Sequence, residues 1–198
     1  SDLRRQRQMC IRDSFSSFEK ICDVEVSIKK TRINDAKVDP YGGIVFGTYN
    51  EDPDKLNRKP IANLYRLAPD LSLTHLLSNI TVSNGLAFSQ KDNIMYFADT
   101  PTGLIKKFSY NRDFKKIDEL ESNMIFKDIG EPDGATLDID DNYWSARVRG
   151  KCVICIDAKN GKIIEKIEKG MTSIELALKK NLKKALTTSK SSWTNKKK

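Results

Sequence analysis

Three stretches decide the fold: NDAKVDPYGGIVFGTY at 34–49, NGLAFSQKDNIMYFADT at 84–100 and DGATLDIDDNYWSARV at 133–148. Each opens on a carboxamide or carboxylate, followed by a small or acidic residue. A short apolar strand comes next, then a polar turn, then a second strand rich in aromatics. The opening residues Asn34, Asn84 and Asp133 stand 50 and then 49 positions apart. A self-copy at a fixed period of this size marks a repeat architecture.

The segments between the copies repeat as well. IANLYRLAPDLSLTHLL at 61–77, LIKKFSYNRDFKKIDEL at 104–120 and KCVICIDAKNGKIIEKI at 151–167 each read as strand, turn, strand. Asn160-Gly161 is tight-hairpin chemistry, supplying the left-handed backbone such a turn needs. Alternation of apolar and polar residues in NIMYFAD and NYWSARV predicts half-buried strands. Four short strands per repeat describe the blade of a β-propeller. A β-sandwich also has regular short strands but no reason for a self-copy of this length. The one candidate helix is TSIELALKKNLKKAL at 172–186, where Ile174, Leu176, Leu178, Leu182 and Leu186 fix no clear period.

Charge is uneven along the 198 residues. The net +8 is carried by the ends: residues 179–198 hold eight Lys and no acid, and residues 1–14 hold four Arg against two Asp. Residues 15–178 carry 23 basic and 25 acidic side chains. A nucleic-acid-binding fold carries its basic stripe on the body, so nucleic acid is not an expected partner. No apolar run reaches the roughly 18 residues of a membrane span, and SDLRRQRQMC has no apolar core to act as a secretory signal. The expected layout is a non-native or disordered leader at 1–14, a partial propeller at 15–178 and a basic tail, or frayed last blade, at 179–198.

Cys152 and Cys155 form a lone C-x-x-C. A zinc site wants a second pair or two histidines, and the chain has one histidine, His75. On a strand, residues three apart face opposite ways, so two small apolar strand residues are expected. Nothing resembles a disulfide framework, which points to a reducing, cytoplasmic setting.

In a propeller the first strand of each blade lines the central channel, so in-phase residues share one ring. Asn34, Asn84 and Asp133 put three oxygen-bearing side chains on that ring. Such donors suit a hard or borderline divalent cation: Ca²⁺, Mg²⁺, Mn²⁺ or an oxygen-ligated Zn²⁺. A cation there would polarise an ester carbonyl, and Asp133 would take the proton of an attacking water. Arg32, two residues before Asn34, offers a donor fork to a polar substrate. Asn-Gly and Asp-Gly are also common turn formers, so Asn84-Gly85 and Asp133-Gly134 can each be read as turns. The in-phase Asn34 favours the shared site.

TRINDAKVDPYGGIVFGTYNED, NLYRLAPD, SNGLAFSQKDNIMYFADTPTGLIKKFSYN and EPDGATLDIDDNYWSARVRGKCVICIDAKNGKI, in this order and spacing, resemble the senescence-marker-protein, gluconolactonase and luciferin-regenerating-enzyme family. They span roughly residues 30–165. The resemblance implies an all-β, six-bladed β-propeller, here incomplete with about three to four blades. It implies hydrolysis of a sugar lactone with one divalent metal, held by a glutamate near the N-terminus, by Asn84 and by Asp133. Asp133 is also the implied acid/base. Arg32 and Asn34 match the substrate-binding R-x-N-D motif, and Asp52, or its neighbour Glu51, matches an acidic substrate contact. The glutamate's E-G-P motif and a Phe-Gly-Gly after Thr172-Ser173 are absent from the sequence. The ring is therefore not expected to close. No membrane or obligate protein partner is inferred. A non-catalytic metal- or ligand-binding propeller, or an inactive truncated fragment, is the alternative.

Overall fold

The computed structural model describes residues 20–54, 57–114, 116–122 and 124–168. The expected leader at 1–14, the candidate helix and the basic tail lie outside these residues. The described chain is all-β, with twelve strands in three four-stranded antiparallel sheets that do not close into a barrel. The first sheet holds β1 (Thr31–Val38), β2 (Ile44–Asn50), β3 (Ala62–Leu67) and β4 (Leu73–Ile80). The second holds β5 (Ser83–Ser89), β6 (Ile94–Asp99), β7 (Ile105–Tyr110) and β8 (Ile117–Leu120). The third holds β9 (Glu131–Leu137), β10 (Tyr143–Val148), β11 (Cys152–Ile156) and β12 (Ile163–Glu168). Each sheet pairs its strands in chain order, as a meander.

The same polar device closes the first hairpin of every sheet. Asp39 Oδ1 accepts the backbone N–H groups of Tyr41 and Gly43, and Asp138 Oδ1 accepts those of Asp140 and Asn142. Ser89 Oγ accepts the Asp92 N–H. These three residues keep the 50- and 49-residue spacing of Asn34, Asn84 and Asp133. A short side chain that bonds its own backbone two to four residues on pins a turn locally. The hairpin at Asn160-Gly161 differs from expectation. Gly161 is left-handed at φ +71 while Asn160 is not, so the two-residue turn that needs both is not formed. Asp157 organises a longer loop, its carboxylate accepting the Lys159 N–H at 2.8 Å.

The first strands of the sheets lie side by side, β1 against β5 and β5 against β9. Lys37 on β1 reaches Ala135 O on β9 at 3.2 Å, so the first and third sheets also touch. Two apolar clusters fill the seams. Val45 and Leu64 of the first sheet pack with Leu86, Met95 and Phe97 of the second. Ala87, Tyr96 and Ala98 pack with Tyr143, Ile154 and Ile156 of the third. Fully burying one large apolar side chain stabilises by about 1.5–3 kcal/mol, so these seams carry much of the fold's stability.

Strand β6 contributes alternate residues to the two seams and is buried on both faces; β10 is buried over Tyr143–Arg147. This corrects the half-buried expectation. A middle strand inside a stack of sheets has no solvent face. Cys152 and Cys155 behave as expected of small strand residues, buried in different clusters on opposite faces of β11.

Candidate functional site

The opening dipeptide of each repeat sits in a strand. Register with the second strand slips between Ile33 and Ala36 in β1, between Asn84 and Ala87 in β5, and between Pro132 and Ala135 in β9. These are β-bulges within one residue of the same phase of the repeat, and a bulge bends a strand and re-aims its side chains. The turn reading of Asn84-Gly85 and Asp133-Gly134 is thereby replaced. Gly85 is needed at its bulge, with φ +70 and Tyr143 Oη 2.6 Å from where a Cβ would lie.

Asn34 and Asn84 are brought together. Asn34 Nδ2 donates to Ser83 O at 2.9 Å and approaches Asn84 Oδ1 at 3.4 Å. Asn84 is buried, and its Nδ2 donates to Thr100 Oγ1 at 2.8 Å. Thr100 Oγ1 in turn donates to Pro132 O at 2.9 Å. Polar contacts thus run from β1 through β5 and the turn after β6 to the residue before Asp133. Asp133 is half-buried on β9. Its charge is felt by Asp35, whose carboxyl is pushed above its ordinary value of 3.8 chiefly by burial, and further by Asp133. The N–H groups of Leu86 and Ala36 and the Lys37 charge partly offset that rise.

The substrate-contact candidates divide. Arg32 Nε pairs with Glu51 Oε1 at 2.8 Å, and its guanidinium lies 4.4 Å from the centre of the Tyr49 ring. Asp52 turns instead to Lys30 at 3.3 Å and accepts the Asp54 N–H. That N–H first, then Lys30, holds the Asp52 carboxyl below 3.8. Of the two acidic candidates, Glu51 is therefore the one that meets Arg32.

Among the described residues, no group of three or more His, Cys, Asp or Glu side chains is placed to hold a metal. Carbonyl oxygens can stand beside a single carboxylate in the ligand set of a hard cation. The two asparagines suit that role: the Nδ2 of each has a hydrogen-bond acceptor, which leaves Oδ1 as the donor atom for a hard cation. Glu25 bonds elsewhere, its Oε1 accepting from Thr48, Asn63 and Tyr65 while its buried Oε2 has no partner among the described residues. A cavity of about 400 Å³ lies at the other end of the strands, around Tyr96, Lys107 and Asp141, and includes none of the candidate residues.

Sequence reasoning missed Thr100, Asp99 and Asp35. Asp99 accepts the N–H groups of Thr81 and Val82 and so fixes the entry to β5. Asp35 accepts the Leu86 N–H across the seam. A signal for Asp35 was its phase with Gly85 and Gly134; Thr100 carries none.

The sequence pattern of the SMP-30/Gluconolactonase/LRE-like region matches residues 4–189. The chain is 36% identical over 152 residues to YvrE of Bacillus subtilis (strain 168), provisionally named a sugar lactone lactonase, covering 76% of this chain and 51% of that protein. It is 31% identical over 151 residues to regucalcin of Bos taurus, covering 75% and 50%. A solved luciferin-regenerating enzyme superposes with a TM-score of 0.73 at 30% identity, covering 77% of this chain and 51% of that one. The chain spans about half the length of the curated relatives it matches. With repeat, sheets and relatives in agreement, the chain belongs to the SMP-30/gluconolactonase/LRE-like family.

Proposed function

We propose that this protein hydrolyses a sugar lactone with the help of one divalent cation, as part of a six-bladed β-propeller. The observation that carries the reading is the convergence of Asn34 and Asn84 from two sheets, linked through Thr100 to the residue before Asp133. The name of YvrE adds the substrate class. Asn84 Oδ1 and Asp133 would hold the cation, with Ca²⁺, Mg²⁺, Mn²⁺ and Zn²⁺ as candidates. When bound, it would polarise the lactone carbonyl and acidify nearby water.

The chain's own groups supply the rest. Asp133 takes a proton as water adds to the carbonyl carbon, and returns it to the ring oxygen as the C–O bond breaks. Arg32 and Asn34 hold the substrate hydroxyls. Glu51 keeps the Arg32 fork in place while Tyr49 supports its flat face. Asp52 is the weaker substrate contact, since Lys30 and the Asp54 N–H already engage it.

The test is turnover by the purified chain against a panel of sugar lactones, with and without each cation. Cation-dependent hydrolysis that falls at least about 100-fold in Asp133→Asn is expected. Equal rates for variant and wild type would overturn the reading. Saturable cation binding with no turnover of any lactone would favour a non-catalytic binding propeller.

A further inference from the structure

We propose that Thr100 is a positioning residue: its hydroxyl decides which atom of Asn84 is offered to the cation, and ties that choice to the strand carrying Asp133. The proposal rests on the cation reading above, but its structural half stands separately.

The argument is one of donors and acceptors. A threonine hydroxyl has one proton and two lone pairs. Thr100 Oγ1 lies 2.9 Å from Pro132 O, which can only accept, so the single proton goes there. Toward Asn84, at 2.8 Å, the hydroxyl can then only accept. Asn84 must present its NH₂ to Thr100 and turn its Oδ1 the other way. Asn34 confirms this sense from the opposite side, where its Nδ2 faces Asn84 Oδ1 at 3.4 Å. An amide flip would set two donors against each other at Asn34 and leave Thr100 without its second bond.

The hydroxyl is itself held in place. Thr100 is 9% exposed and Asn84 6%, so water offers little substitute. The Thr100 N–H donates to Val82 O at 3.0 Å, and the preceding Asp99 clamps Thr81 and Val82. Thr100 opens a short 3-10 turn with Pro101 following and Gly103 left-handed at φ +72. Both neighbours of the hydroxyl sit on inner strands, β5 and β9, so one O–H group couples two expected ligands. Partners that orient metal ligands typically cost 10–100-fold in affinity when removed.

The test compares Thr100→Val, Thr100→Ala and Thr100→Ser in the full 198-residue chain. Two readouts are used: hydrogen exchange of the Asn84 side-chain NH₂ by NMR, and titration with Ca²⁺ and Mn²⁺. Val and Ala are expected to speed that exchange at least about tenfold and to weaken cation binding by about 10–100-fold, while Ser restores both. Unchanged exchange in Val and Ala overturns the proposal whatever the cation does. Faster exchange with unchanged cation affinity overturns the coupling to the site. Faster exchange in a chain whose wild type binds neither cation upholds the hold on Asn84 and overturns the cation reading instead. If Val fails to fold, Ala against Ser makes the same comparison.

Discussion

Two aspartates illustrate opposite responses of single residues to pH. Asp138 is partly buried, which pushes its carboxyl up, but the Trp144 indole and the Asn142 donors outweigh burial and leave it below 3.8. Its stabilisation is present above pH 3.8 and is lost as pH falls through the folded value. Asp138→Ala should cost about 2 kcal/mol at neutral pH, because Trp144 Nε1 and two backbone N–H groups lose a charged acceptor. Urea unfolding at pH 7 and pH 3 checks this, and a cost that does not shrink at pH 3 would remove charge from the explanation. Asp35 runs the other way. Burial raises its carboxyl, so the folded state binds the proton more tightly and stability falls as pH climbs from 3.8 through the raised value. Asp35→Asn should lack that fall, seen as wild type losing ground to the variant across the same window in urea unfolding. The meeting of Asn34 with Asn84 was legible because a repeat makes phase visible. Thr100 was not: its meaning comes from a carbonyl 32 residues later that no local pattern announces.

At the scale of elements, strand and hairpin positions could be read from the sequence, while burial and bulges could not. Met95 and Phe97 face one seam and Tyr96 and Ala98 the other, so β6 is apolar on both sides, unlike a one-sided sheet strand. The bulges were hidden because Asn-Gly and Asp-Gly carry the same chemistry in a turn as in a bulge. Gly85 gives the sharpest test of the bulge. An alanine there must hold φ +70 and displace Tyr143 Oη, which donates to Gly85 O at 2.7 Å. Gly85→Ala should destabilise by about 1–3 kcal/mol, whereas Gly134, in phase but not left-handed, should lose less. Thermal unfolding of the two variants decides it, and equal losses would show that backbone handedness is not what selects glycine at this position.

Across the three described sheets, polar side chains stitch the first strands together as well as apolar ones filling the seams. Asn34 and Asp35 join the first sheet to the second, Tyr143 and Thr100 join the second to the third, and Lys37 spans from first to third. The fifty-residue period foretold that equivalent strands would be neighbours, as β1, β5 and β9 are, but which side chains cross between them depends on bulge geometry that the period does not encode. A cation held by Asn84 and Asp133 would add one more tie, between β5 and β9, and would bind the folded chain far better than the unfolded one. Linkage then fixes the size of the effect: a free cation concentration about 100-fold above Kd stabilises by about 2.7 kcal/mol. Urea unfolding of the chain with and without Ca²⁺ or Mn²⁺ should show that increment. Asn84→Ala and Asp133→Asn should each abolish it while Asp52→Asn, whose carboxylate faces Lys30, should keep it. Cation stabilisation that survives in Asn84→Ala and Asp133→Asn would move the metal away from the inner strands altogether.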